Sequence, residues 1–170
     1  MNPNLARLGE KAKAHPTLGF TSLSHHIADI EPLRAGYQQL PGQKAVGVDE
    51  GTKARYAANR EAHLPALSAR LTRMGSRPQP KRRLYIPKPG SETGRPLGLS
   101  SFEDKSVELA TKRVLEPLCE PLFEEGSDGY RPQRSPHQCL DALGRTLQQK
   151  RVNILVEADI RGFFDAVHHE

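Results

Sequence analysis

The stretch "VNILVEADIRGFFDAVHHE", residues 152–170, opens on a nearly unbroken apolar run and closes on a turn. Val152, Ile154, Leu155 and Val156 are branched, and such a run predicts a strand covered on both faces. It ends at Asp159, and Gly162 loosens the turn that follows. A carboxylate at the end of a buried strand is costly unless it is paired or metal-bound. Two readings of Asp159 stay open. It caps the following turn, or it holds a metal ion with partners from elsewhere in the fold. Asp165, His168 and His169 raise a second metal option, a zinc set on one helix face, and with it a small metal-dependent hydrolase. Cys119, His137 and Cys139 would need a fourth ligand and read as ordinary core and helix-surface residues.

Upstream of that run the pattern is mostly helical. Ser135-Pro136 is an N-cap followed by proline at the first helical position, and the helix extends to about Gln149 with Leu140, Leu143 and Leu147 facing in. The loop "EEGSDGYRPQR" precedes it. Ser101 caps another helix, with Asp104 three residues on, and Val107, Ala110, Val114, Leu118 and Leu122 line one face. Pro117 and Pro121 predict a bent or interrupted end. "RRLYIPKPGSETGRPLGLS", residues 82–100, reads as a hairpin, Arg83–Pro87 against Arg95–Leu99, with Pro89-Gly90 and Gly94 in the loop. Leu64, Leu67, Leu71 and Met74 share a helical face, which Pro65 should break or kink. Residues 1–45 read as a helical, polar extension. Ile27, Ile30, Leu33, Tyr37 and Leu40 form its apolar stripe, and Pro32 allows two pieces. The fold class expected is α+β and helix-rich.

The chain has 170 residues, only 36% of them apolar and 5% aromatic, which predicts a modest core. Two cysteines make no disulfide framework; they fit a reducing compartment and two small buried side chains. The start "MNPNLARLGEKAKAHP" has no apolar signal region, and no run approaches a membrane span, so a cytoplasmic, membrane-free protein is expected. The net charge of +5 is unevenly spread. Residues 70–95 carry Arg70, Arg73, Arg77, Lys81, Arg82, Arg83, Lys88 and Arg95 against Glu92 alone. Such a block suits a polyanion, or it is a solvated face.

The series "GVDEGT" (47–52), "RPQPKRRLYIPKPGSETGRPLGLSSFEDKSVELA" (77–110), "VLEPLCEPLFEEGSDGYRPQRSPHQCLDAL" (114–143) and "VEADIRGFFDAVHHE" (156–170) resembles the N-terminal half of bacterial group II intron reverse transcriptases, or maturases. The resemblance covers nearly the whole chain. It implies the fingers and start of the palm of a right-hand polymerase, with an incomplete palm sheet. Residues 1–45 would be the N-terminal extension, 46–150 the fingers, and 151–170 the start of a truncated palm. It further implies that Asp159 is the catalytic metal ligand, with the backbone carbonyl of Ile160 beside it, and that Phe164 underlies the incoming sugar. Lys88 and Arg95, with Arg82 and Arg83, would contact the nucleotide triphosphate. The loop "GYRPQRSPH", with Arg131 and Arg134, would lie near the template, and residues 23–40 would help grip it.

The implied function is RNA-directed DNA synthesis with two Mg²⁺ ions, on an RNA template or intron RNA, a DNA primer and dNTPs. The resemblance also implies a Tyr-x-Asp-Asp turn bearing further carboxylates. No Asp-Asp pair occurs in this sequence. The chain is therefore expected to be inactive alone, with a loosely held C-terminal segment and room for a second chain supplying the rest of the polymerase. The alternative is a non-catalytic RNA-binding fragment. Two departures from the family's pattern are Glu50, where glycine is common, and Ser91-Glu92-Thr93, which lengthen the hairpin loop.

Overall fold

The computed structural model describes residues 3–43, 45–87, 89–90, 94–163 and 166–168. Lys88, the Ser91-Glu92-Thr93 insertion, Phe164, Asp165 and His169 lie outside the described residues. The chain divides into two units, residues 1–123 and 124–170.

The first unit is built on helices. In chain order they are α1 (Pro3–Ala14), α2 (Ser24–Ala28), α3 (Ile30–Gln39), α4 (Lys53–Ala57), α5 (Arg60–Thr72) and α6 (Phe102–Cys119). Between α5 and α6 runs an antiparallel hairpin of β1 (Arg82–Ile86) and β2 (Arg95–Leu99). The stripe at 27–40 does form two helices, and the break is at Asp29. That residue is extended (φ −61°, ψ 142°) and accepts the Glu31 amide, starting α3. Pro32 then lies in the first turn, where its missing N–H costs nothing.

Leu33, Leu64, Leu67 and Ala110 form the core, with Ile27, Tyr56, Leu71 and Val107 packed against it. Tyr37, Leu40 and Phe102 make a second cluster beside it. Helices α2 and α3 thus share one core with α5 and α6, and α1 packs on α6. Contact between α3 and α6 needs Gly36, because a Cβ there would lie 2.8 Å from the Ser106 carbonyl oxygen.

Pro65 does not break α5. It forfeits only the bond to the Glu61 carbonyl, and its neighbours Leu64 and Leu67 are fully buried, which offsets that loss. The interruption falls earlier, at Ala58-Asn59. Met74 lies beyond the helix, exposed, with φ 54°. Ser101 caps α6 as expected: its Oγ accepts the Asp104 amide at 3.1 Å. Pro117 is accommodated inside α6, and the interruption comes at the 3₁₀ turn Glu120–Leu122, which contains Pro121.

The second unit holds one helix, α7 (Pro136–Gln149), begun by Ser135, whose Oγ accepts the Gln138 amide at 3.3 Å. Three expectations fail here or at its border. Leu140, Leu143 and Leu147 line one side of α7 but are exposed, because no element among the described residues covers them. Residues 151–160 form no strand: no hydrogen-bonded neighbour is present among the described residues. Cys119 and Cys139 are both exposed free thiols rather than small buried side chains. No helix is long and apolar enough to cross a membrane among the described residues.

Candidate nucleotide and nucleic-acid interface

The hairpin is held at its base by α6. Lys81, just before β1, and Ser100, just after β2, both donate to Glu108 Oε1, at 3.3 and 2.7 Å. The Gln79 amide donates to Asp104 Oδ2 at 2.9 Å, which also receives the Ser101 hydroxyl at 2.6 Å. Asp49, from the "GVDEGT" loop, accepts the Phe102 amide at 3.2 Å. These bonds surround a polar cavity of about 380 Å³ lined by Asp49, Arg70, Arg77, Glu103 and Asp104 among others. Its carboxylates are already engaged with backbone, Arg70 and Tyr56. The carboxylates that line it thereby fasten the approach to the hairpin onto α6.

The pleat sorts the hairpin's cations. Arg82 pairs with Leu99, Leu84 with Leu97 and Ile86 with Arg95. Directly paired residues share a face, and alternate residues along a strand change face. Arg82 and Arg95 therefore share one face with Leu84, Ile86, Leu97 and Leu99. Arg83 lies on the other, with Tyr85, Pro96 and Gly98. Four residues of strand separate the two ends of the first face by about 13 Å. Arg82, Arg83 and Arg95 are exposed, and no carboxylate among the described residues pairs with them. The resemblance groups Arg82 and Arg83 together, whereas the pleat places them on opposite faces of the hairpin.

Arg131 and Arg134 are turned into their own loop. Arg131 Nη1 donates to the carbonyls of Glu124 and Ser127, at 2.9 and 2.7 Å, and Arg134 Nη1 lies 3.3 Å from Asp128 Oδ1. Tyr130, just before Arg131, stands exposed with φ 58°, a strained value for an aromatic residue. Sequence reading passed over Tyr130. The signal was present, an aromatic flanked by Gly and Arg in a turn-rich loop.

Asp159 and Ile160 lie in the exposed stretch after α7. One carboxylate and one carbonyl are hard oxygen donors of the kind Mg²⁺ takes, but the ion needs near-octahedral coordination. Among the described residues no group of three or more His, Cys, Asp or Glu could hold a metal. The described residues alone therefore do not make a Mg²⁺ site, and the zinc set of Asp165, His168 and His169 has only His168 among them.

The chain belongs to the reverse transcriptase (RNA-dependent DNA polymerase) family, whose match covers residues 86–170. Its relatives include a protein named for a group II intron. It is 33% identical over 175 residues to the "Group II intron-encoded protein LtrA" of Lactococcus lactis subsp. cremoris, across 99% of this chain and 28% of that protein. It is 34% identical over 169 residues to "Protein YkfC" of Escherichia coli K12, across 96% of this chain and 44% of that one. A further match is the "Uncharacterized 91 kDa protein in cob intron" of Schizosaccharomyces pombe, 38% identical over 91 residues, across 54% of this chain and 11% of that protein. The chain spans less than half the length of each of these relatives.

Proposed function

We propose that this chain is the fingers-and-first-palm-motif portion of a group II intron reverse transcriptase, an RNA-directed DNA polymerase. The observation that supports this best is the family match over 86–170, which runs from the hairpin through Asp159. In this reading Arg82 and Arg95 meet the triphosphate of an incoming dNTP from one hairpin face, together with Lys88. Cations there would neutralise charge on the leaving phosphates. Arg83 lies on the opposite face of the hairpin and takes no part in that contact. Phe164 is the sugar gate, and Arg131 and Arg134 reach the RNA template once they exchange their loop contacts for phosphate.

Mg²⁺ is the cofactor this reading implies. Asp159 and the Ile160 carbonyl would supply two of its oxygens, and the remaining ligands have no source among the described residues. The 170-residue chain by itself therefore has no polymerase activity. Primer extension by the purified chain on an RNA template with Mg²⁺ tests this. Incorporation that Asp159→Ala abolishes would sink it.

A second reading is a non-catalytic RNA-binding fragment. It is favoured by the exposed cations Arg82, Arg83 and Arg95, which no carboxylate among the described residues pairs with, and by a metal donor set that is incomplete among those residues. RNA binding whose affinity falls steeply with salt, without any incorporation even when a polymerase remainder is supplied in trans, would select it.

A further inference from the structure

Two segments distant in sequence meet at the first turn of α6: the root of the hairpin and the loop "GVDEGT", residues 47–52. The loop is clamped on both sides. Before it, Lys105 Nζ of α6 donates to the Ala45 carbonyl at 2.7 Å. After it, Thr52 Oγ1 accepts the Arg55 amide at 3.1 Å and starts α4. In between, the Glu50 amide donates to the Gly47 carbonyl at 3.4 Å, closing a turn in which Glu50 has φ 50°. That left-handed value is strained for a residue with a Cβ. The turn delivers Asp49, whose Oδ2 accepts the Phe102 amide at 3.2 Å. This amide is one of those that a helix start leaves without an intrahelical acceptor, and the negative charge suits the positive end of α6.

Two glycines admit the contact. A Cβ on Gly51 would lie 2.5 Å from Asp49 Oδ2 and 3.0 Å from Phe102 Cβ. A Cβ on Gly47 would lie 2.6 Å from the Ser100 carbonyl oxygen and 2.8 Å from Ser101 Cα. Gly47 is buried, so the loop backbone rests directly on the residue that follows β2. The approach to β1 is tied to the same helix through Gln79 and Lys81. The hairpin's direction is therefore set at its root, on one helix turn, with the loop pressing on its exit strand. Arg82 pairs with Leu99 at that root, whereas Arg95 lies about 13 Å further along β2. A tilt at the root displaces Arg95 more than Arg82.

We propose that the 47–52 loop is a brace that fixes the direction of the hairpin, and that Asp49 is a positioning residue for the hairpin's cationic face. What that face meets, the triphosphate of a nucleotide, rests on the function proposed above; the brace itself does not.

Double electron–electron resonance on the 170-residue chain tests the brace. Nitroxides go on Cys119, an exposed thiol at the end of α6, and on Tyr85→Cys in β1, with Cys139→Ser. The parent should give one narrow distance. Asp49→Ala and Gly47→Ala should each shift or broaden it. Asp49→Asn, whose amide oxygen still accepts the Phe102 N–H, should keep it. Gly36→Ala, which strains the α3–α6 contact and not the hairpin root, should keep it too, so that loss of direction is told apart from general loss of stability. Circular dichroism checks that each variant is folded. Inorganic tripolyphosphate is then titrated into the same chains, followed by NMR of the Arg82 and Arg95 guanidinium N–H groups. Asp49→Ala should weaken binding at least about threefold, with the greater loss of response at Arg95, and Asp49→Asn should not. A distance unmoved by Asp49→Ala and Gly47→Ala, or moved as far by Gly36→Ala, overturns the brace. Tripolyphosphate bound equally by the parent and Asp49→Ala overturns the positioning role. A parent that obeys the distance pattern but binds no tripolyphosphate upholds the brace and overturns the triphosphate reading instead.

Discussion

Ser100 Oγ donates to Glu108 Oε1 at 2.7 Å, on the same oxygen that receives Lys81 Nζ at 3.3 Å. One carboxylate on α6 thus ties the residue before β1 and the residue after β2. The two bonds are not equal. Ser100 is buried, whereas Lys81 and Glu108 side chains are 59% and 53% exposed. A partly buried hydrogen bond to a charged group contributes about 1.5–3 kcal/mol, while an exposed ion pair contributes about 0–1 kcal/mol. Ser100→Ala should therefore lower stability clearly more than Lys81→Ala in urea unfolding at unchanged m-value. Glu108→Ala should in addition speed amide exchange in residues 82–86 and 95–99. Equal costs for the two single variants would mean that the buried Ser100 bond holds the hairpin no more firmly than the exposed Lys81 pair.

The split of the hairpin cations makes a separate prediction. If one face of the hairpin meets a polyanion, Arg82→Ala and Arg95→Ala should each reduce the slope of log affinity against log salt for single-stranded RNA by about one. Arg83→Ala, on the other face, should leave that slope unchanged. Arg82 and Arg95 stand about 13 Å apart along the strand, so the effects of the first two variants should add. Filter binding across a salt series measures all three. A slope lowered equally by Arg83→Ala would mean that RNA wraps both faces.

Gly36 reverses the usual helix rule. Alanine in a helix interior normally gains about 1 kcal/mol over glycine. Here a Cβ would meet the Ser106 carbonyl oxygen at 2.8 Å, and backbone cannot turn aside as a flexible side chain can. Gly36→Ala must push α3 from α6, across the contact that seats Leu33 on Ala110. The net effect should be a loss of about 1–3 kcal/mol, the usual range for overpacking. A thermal midpoint equal to or above the parent's would show that the helices can separate at no cost.

What the sequence disclosed about this fold was local. Ser101 with Asp104, and Ser135 with Pro136, mark helix starts through bonds spanning three residues, and both caps form. The hairpin strands fall within a residue of expectation because proline, glycine and branched residues punctuate them. The break in the 27–40 stripe, which the sequence suggested at Pro32, falls at Asp29 through the same kind of short-range bond. The misses depend on what lies far away in sequence. The run 152–159 has strand composition, but a strand needs a neighbour to accept its hydrogen bonds. The leucines of α7 have the right spacing but nothing over them. Glu108 was invisible as a hairpin anchor, since its partners lie 27 and 8 residues away and an exposed-looking glutamate on a helix carries no signal. For the candidate site, the residue types were legible and the faces were not: Arg82 and Arg83 look like neighbours until the pleat separates them.

Tyr56 supplies a pH prediction. Its phenol lies between the two apolar clusters, 5.1 Å from the Phe102 ring centre, and donates to Glu103 Oε1 at 3.4 Å. Burial raises its pKa above the ordinary value of 10.0. The negative charge of Glu103 and the hydrogen bond to it push the same way, and the Arg70 guanidinium opposes them. The raised value means the folded state holds the phenolic proton more tightly than the unfolded chain does. Its contribution to stability is complete below pH 10, and it is lost as pH rises from there toward the folded-state pKa, because only the unfolded chain ionises in that window. Tyr56→Phe removes the titrating group while keeping the ring contacts. The parent's unfolding midpoint should therefore fall more steeply above pH 10 than that of Tyr56→Phe, while between pH 7 and 9 the two curves run parallel. Denaturant melts across that range measure the difference. Curves that stay parallel above pH 10 would mean that the phenol ionises as freely in the folded protein as in the unfolded chain, and that neither the burial nor the Glu103 bond holds its proton.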